Sequence, residues 1–438
     1  MSKKYYVISE YGYIANRKYT NHVDKGAALV DNNVFEELEN FVIKNKDSFE
    51  KTQAGDFLSI SYKRRIGKII KAQNYVGIIQ TRCGTTIEIL PKIYNETEEI
   101  CYEKTLKIFI KMLKYLKDTP FKKFNLSSVN ISNMNLLEVF INMFLEELGL
   151  LIKKGVKSNY ILREDNLYYY KGKLDINKHI RNNIVNKERF YLQFDEYSKN
   201  TAENRIIKST LLLLKLKTNR NSLQKSIRKY LFILDEITPS YNIKGDFSKC
   251  INNRMMSEYD NILRWCRIFL DGKSFLNYKG DNIAYSLLFP MEKVFENYVA
   301  KQIKNHEGFK DCKIYTQHSK YYLLENPKLF KLKPDIVMEK GNTIIILDTK
   351  WKLLKNDLSL NYGISQSDLY QMYAYVKKYN SKNVILLYPM NGYINEIAND
   401  DIYFFYEDKI KLSIFFVDLE DTKHSMDKLD TLICNNNQ

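Results

Sequence analysis

Residues 333–350, Lys-Pro-Asp-Ile-Val-Met-Glu-Lys-Gly-Asn-Thr-Ile-Ile-Ile-Leu-Asp-Thr-Lys, constrain the fold of this chain more than any other stretch. Two apolar runs are joined by Gly341-Asn342, and such a pair supplies the positive φ that a two-residue hairpin turn demands. With the turn fixed there, Asp335 faces Asp348 across the ladder. Side chains two apart on a strand share a face, so Lys350 lies beside Asp348 on the face that Asp335 also uses. The uninterrupted run Ile344–Leu347 reads as a strand buried on both faces, which delivers Asp348 at its end. Like charges opposed in a sheet are destabilising unless a cation lies between them. Oxygen-only donors select a hard ion, so Mg2+ is the expected cofactor, with Mn2+ as a substitute.

Around this hairpin the pattern is α/β. Pro290–Gln302 reads as a helix, Lys313–Leu324 as extended, Asp368–Tyr379 as a helix, and Asn383–Tyr388 as a short apolar strand ended by Pro389. The helix before the hairpin carries Glu292 and Glu296 one turn apart. The helix after it places Leu369, Met372, Tyr373 and Val376 at core spacing and leaves Gln371 and Tyr375 together on another face, towards the carboxylates or towards water. Upstream, Phe57–Tyr62 and Thr86–Leu90 alternate and Tyr75–Gln80 is apolar, with a turn at Cys83-Gly84, so the first region is mainly β. From about residue 99 the period becomes helical through Leu106, Ile108, Ile110, Met112, Leu113 and Leu116. Further helices follow at Leu136–Leu151, Ala202–Leu216 and Ser226–Ile237, around an extended stretch at Tyr160–Asp175. A chain of 438 residues exceeds the size at which one core stops growing. The expectation is a multidomain α+β protein: a mainly β N-terminal domain (1–98), an α-rich middle domain (99–275), and a C-terminal α/β domain (276–438) with a mixed central sheet.

Charge narrows the partner. Lys and Arg total 68 against 52 Asp and Glu, a formal charge of +16, and such an excess favours a polyanion through release of condensed counterions. No segment reaches the roughly 20 apolar residues of a membrane span, and the first residues show no signal-peptide pattern. The six cysteines form no C-x-x-C pair and the five histidines are dispersed. A reducing cytoplasm is therefore expected, without a zinc knuckle or a histidine-based site. The pattern G-x-x-x-x-G-K-[ST] is missing, so any nucleotide-driven motor belongs to a partner.

Asp335, Asp348 and Lys350 resemble the signature of the PD-(D/E)xK nuclease superfamily, with Asp348 where that pattern has Asp or Glu. The resemblance implies a nuclease domain in which a preceding helix supplies a further metal carboxylate, a role that Glu296 fits better than Glu292. Gln371 and Tyr375 match the Gln-x-x-x-Tyr element of the RecB-like branch. Upstream blocks are similar to the McrC family: Asn74-Tyr-Val-Gly-Ile-Ile-Gln80 with Ile87-Glu-Ile-Leu-Pro-Lys92; Asp165-Asn-Leu with Lys171-Gly-Lys-Leu174; Phe194-Asp-Glu-Tyr197; Thr201-Ala-Glu-Asn-Arg205-Ile-Ile-Lys208; and Lys350-Trp351-Lys352. That resemblance implies a Mg2+-dependent DNA endonuclease subunit of a modification-dependent restriction system. It would cut modified double-stranded DNA and stimulate a McrB-like, GTP-driven AAA+ ring through its N-terminal region. Tyr62–Lys71 is a basic stretch suited to DNA, to the ring, or to a solvated strand edge. Two other readings fit: a self-sufficient restriction or repair nuclease without a motor, and a non-catalytic regulator of the ring.

Overall fold

The computed structural model describes residues 4–47, 57–93, 102–117, 119–123, 134–250, 257–271, 283–355, 357–391, 402–406 and 410–435. Contacts divide the chain into two units, one formed by residues 1–136 with 273–438 and the other by 137–272. The architecture is multidomain α+β with mixed sheets.

In the first unit, a four-stranded sheet runs in the order Tyr5–Ser9, Thr86–Leu90, Tyr75–Thr81, Ile283–Pro290. Its fourth strand comes from a distant part of the chain and lies antiparallel to Tyr75–Thr81. The two strands approach so closely at Gly77 that a Cβ there would meet the Leu287 carbonyl oxygen at 2.0 Å, and Gly77 has φ +145. A second four-stranded sheet is ordered Ala28–Val30, Tyr13–Asn16, Gly67–Ala72, Leu58–Lys63. Between its elements lies the helix Asn32–Asp47, whose Val34, Phe35, Leu38, Phe41 and Val42 enter the same core as Ile14, Ile70 and Ile87. That helical stripe interrupts the strand-like signals of the N-terminal region. The helix Tyr102–Leu113 is buried along Leu106, Phe109, Ile110 and Leu113.

The same unit holds a six-stranded mixed sheet: Lys313–Thr316, Ile336–Lys340, Thr343–Thr349, Asn383–Pro389, Lys411–Val417, Ile402–Phe405. The hairpin turns at Gly341, φ +58, with Ile336 opposite Leu347 and Lys340 opposite Thr343, the register that the sequence dictates. Thr343–Thr349 then runs parallel to Asn383–Pro389, and a parallel pair needs a crossover. The helix Gln366–Tyr379 provides it. Its Met372, Tyr375, Val376 and Tyr379 pack on Val337, Ile346, Val384 and Leu386, whereas Tyr373 is 40% exposed. The core stripe is therefore rotated from the expected one, and Tyr375 exchanges places with Tyr373. The region expected to be extended over Lys313–Leu324 is two strands in two sheets, Lys313–Thr316 and Tyr322–Glu325, because the chain turns at Gln317 with φ +54.

The second unit pairs a three-stranded antiparallel sheet, ordered Asn159–Leu167, Phe190–Ser198, Lys173–Leu174, with helices that include Ala202–Lys217 and Ser257–Asp271. Thr201 caps the first of these helices by accepting from the Asn204 N–H, and Arg205 is held to Asp246 at 2.7 Å. The motif Thr201–Lys208 thus has a structural use as a capped, ion-paired helix start. Among the described residues no helix is long and apolar enough to cross a membrane.

Candidate active site

Where the buried strand Thr343–Thr349 ends, Asp348 is 2% exposed. Its Oδ2 lies 2.6 Å from Lys350 Nζ, yet no well-aligned donor satisfies that oxygen. Lys350 Nζ also donates to Gln371 Oε1 at 3.0 Å, and Gln371 Nε2 donates to Tyr375 Oη at 2.8 Å. Gln371 thus faces the carboxylates, and its helix fixes the lysine through a two-step relay. Asp335 sits one residue before its strand, and its Oδ2 accepts from Thr349 N at 2.9 Å and Thr349 Oγ1 at 2.6 Å. Glu296 projects from the helix Met291–Asn305, and Gln317 Nε2 donates both to Glu296 Oε1 and, at 3.4 Å, to Asp335 Oδ1. Glu292, one turn earlier, is exposed and lies outside these hydrogen bonds.

The electrostatics show a site overloaded with negative charge. Burial foremost, and then the charge of Asp335, push the Glu296 carboxyl up to about 7. The same two causes, in the same order, push Asp348 up to about 7 against the pull of Lys350. Asp335 is raised too, chiefly by burial, although the two Thr349 hydrogen bonds oppose it. Burial works against the charge of Lys350, but Asp348, Asp368 and Asp335 outweigh it and hold the ammonium above its ordinary value.

The three carboxylates form an all-oxygen donor set, and Asp348 Oδ2 lacks an aligned donor. Both features suit a hard divalent cation, which would relieve the mutual repulsion. Among the described residues no three His, Cys, Asp or Glu side chains converge tightly enough to hold a metal as they stand. The Gln317 amide instead bridges Glu296 and Asp335. The donor chemistry fits Mg2+; closing it on an ion requires that amide to give way.

Three contributors were not legible as site residues. Gln317 depends on a left-handed turn with no glycine to announce it. Asp368, 2.7 Å from Lys352 and 3.9 Å from Lys350, opens the helix Asp368–Tyr379 expected from the sequence, and its charge was the available signal. Glu10 comes from the first four-stranded sheet's edge: it is 1% exposed and accepts from Trp351 Nε1 at 2.8 and 3.0 Å. Trp351 also packs on Phe295, ring centroids 5.3 Å apart, so the indole that follows Lys350 in the chain joins Glu10 to the residue before Glu296.

Burial pushes the Glu10 carboxyl up to about 8, against the Trp351 hydrogen bond. A carboxyl raised in this way stabilises the fold most below its unfolded value of about 4.5 and loses that contribution as pH rises through about 8. Glu10→Gln keeps an acceptor for the indole and removes the ionisation. Its melting temperature, measured across pH 5 to 9, is therefore expected to gain on the wild type by a few degrees towards the alkaline end. Parallel melting profiles would contradict the assignment.

A family profile described as "McrBC 5-methylcytosine restriction system component" matches residues 70–389, well over half of the chain. The chain belongs to the McrBC restriction-system family. The matched span takes in the first sheet's Tyr75–Thr81, the hairpin and Gln366–Tyr379, so every residue of the site except Glu10 falls within the McrBC match. Among solved structures, the chain is similar to one in a refined half-complex from a tetradecameric assembly of Thermococcus gammatolerans McrB AAA+ hexamers with bound McrC. Identity is 18%, coverage 97% of this chain and 100% of that chain, and TM-score 0.72. A second likeness is to the cryo-EM structure of the Thermococcus gammatolerans McrBC complex, at 18% identity, 68% and 86% coverage, and TM-score 0.50. At these identities the likeness concerns the fold. No curated protein matches.

Proposed function

We propose that this chain is the McrC-type nuclease subunit of its restriction system, with a PD-(D/E)xK domain built on the six-stranded sheet. It hydrolyses phosphodiester bonds of modified double-stranded DNA with Mg2+, Mn2+ being a substitute, when a McrB-like AAA+ GTPase ring delivers the substrate. The observation that carries this reading is the fixed ammonium of Lys350, set 2.6 Å from Asp348 and 3.0 Å from Gln371 at the mouth of a cluster of three raised carboxylates.

Asp335, Asp348 and Glu296 would hold the cation, which when bound would supply charge neutralisation at the phosphoryl oxygens and a more acidic water. The chain's own part is positional. Thr349 fixes Asp335 through both its N–H and its hydroxyl, so that carboxylate keeps its direction when the site is charged. Gln371 and Asp348 hold Lys350 where its charge meets negative charge developing on the scissile phosphate. Tyr375, buried at 4% exposure, anchors Gln371 from below.

Support for a partner motor comes from family membership and from the missing P-loop pattern. Cleavage of a 5-methylcytosine-containing duplex is expected to require the McrB-like ring and GTP. Running the assay with each component left out checks this. Efficient cutting by the chain alone would favour a self-sufficient nuclease, and no cutting with every component present would favour a regulator of the ring.

A further inference from the structure

Nine consecutive residues, Leu323 to Lys331, are exposed, although Leu323, Leu324, Leu329 and Phe330 among them are large and apolar, at 44%, 48%, 47% and 69% exposure. They belong to the two-stranded hairpin Tyr322–Glu325 with Lys328–Lys331, which among the described residues pairs with no other sheet. An isolated hairpin is marginal in water, and this one is tied to the helix Gln366–Tyr379 at its base and, through Glu325, near its turn. Tyr321 meets Tyr379 edge-on at 4.7 Å, Leu332 N donates to Tyr321 O at 2.9 Å, and Lys378 reaches Glu325 at 2.8 Å. The ribbon nonetheless keeps Leu323, Leu324, Leu329 and Phe330 in water.

The backbone adds a second sign. Phe330 has φ +55, a region that a bulky side chain rarely adopts. The ladder pairs Leu324 with Leu329 and Tyr322 with Lys331, and passes over the facing residues Leu323 and Phe330. Phe330 is also the most exposed large apolar side chain of the hairpin. Backbone strain of this kind persists where it serves a contact.

Charge and location choose the partner. Residues 320–333 contain four lysines, Lys320, Lys328, Lys331 and Lys333, and one acid, Glu325. Lys331 is four residues before Asp335, so the hairpin's root lies within roughly 13 Å of the candidate site even if the chain between is extended at about 3.3 Å per residue. An apolar face alone would suit many proteins. Interleaved with lysines and rooted beside a phosphodiester-cleaving site, it suits a duplex, whose phosphates take the lysines and whose base steps take an apolar wedge.

We propose that the hairpin 322–331 is a duplex-contacting wedge, with Phe330 seated in a groove against base steps and Lys328 and Lys331 on flanking phosphates. The choice of DNA rests on the nuclease reading above; the test does not require cutting. Binding of the full chain to a short labelled duplex is followed by fluorescence anisotropy without divalent metal, over a range of salt. Lys328→Ala with Lys331→Ala is expected to weaken binding about tenfold and to flatten the slope of log K against log salt by about 1.8, two phosphate contacts' worth. Phe330→Ala is expected to weaken binding at least about fivefold with the slope unchanged, the mark of a stacking contact. Lys423→Ala with Lys428→Ala, the same charge loss on an exposed face of the helix Thr422–Asn435, should bind as the wild type does.

The wedge is overturned if the hairpin variants bind duplex normally, if the control pair loses as much, or if the wild type does not bind. It is also overturned if the hairpin variants keep duplex binding but no longer co-elute with the McrB-like ring, which would make the ribbon a protein contact. A chain that binds through the hairpin yet cuts nothing under any condition would sink the nuclease reading and leave the wedge standing.

Discussion

Asp348→Ala is expected to lower cleavage by at least about 10³-fold at saturating Mg2+, the equivalent of about 4 kcal/mol of transition-state stabilisation. The effect is large because Asp348 has two tasks. It is the most buried of the three carboxylates that would hold the cation, so its loss removes a shielded anionic donor. It is also the 2.6 Å partner that holds Lys350, so its loss frees the ammonium as well. The fold should survive, since the substitution removes a carboxyl that burial and Asp335 already push up to about 7. Single-turnover cleavage, with a melting curve for each protein, checks both parts. A native melt with near-wild-type cutting would remove Asp348 from the site.

Lys350→Ala is expected to reduce the chemical step by about 10² to 10³-fold, the usual loss when one preorganised charge-stabilising group is removed. Affinity for duplex and for the ring should be nearly unchanged. A group that acts on charge developing in the transition state lowers turnover more than binding. The relay from Tyr375 through Gln371 to Lys350 is made of the chain's own side chains, so the position of the ammonium is set by the fold. Anisotropy and single-turnover rates on the same preparations separate the two quantities. Equal losses in both would make Lys350 a phosphate anchor.

The parts of this site written within a few residues were legible, and those assembled over long range were not. The turn at Gly341-Asn342 and the run Ile344–Leu347 fix a register, and the register puts Asp335 across from Asp348 with no tertiary information. Glu296 and Gln371 came from resemblance, because one helix face looks much like another until its neighbours are known. The crossover helix shows why. Its buried stripe falls on Met372, Tyr375, Val376 and Tyr379, one step around from the stripe that the apolar residues alone suggest. An amphipathic tyrosine serves either side of such a boundary. Gln317 was hidden in what reads as one extended stretch, where only its left-handed φ divides the chain between two sheets. Glu10 and Trp351 are more than three hundred residues apart, and Ile283–Pro290 pairs with Tyr75–Thr81 across about two hundred. Pairings at such separations leave no periodicity to read.

The central claim is that the hydrolytic site is the cluster around Asp348 and that it is separable from whatever the chain does to its motor. One measurement addresses both halves: cleavage of a 5-methylcytosine-containing duplex and GTP hydrolysis by the McrB-like ring, followed in the same reaction with wild-type chain or Asp348→Ala at matched concentration. Groups without shared contacts act independently, so the substitution should abolish cutting and leave stimulation of the GTPase at the wild-type level. Cutting that persists in Asp348→Ala, or GTPase stimulation that disappears with it despite a native melting curve, would contradict the account.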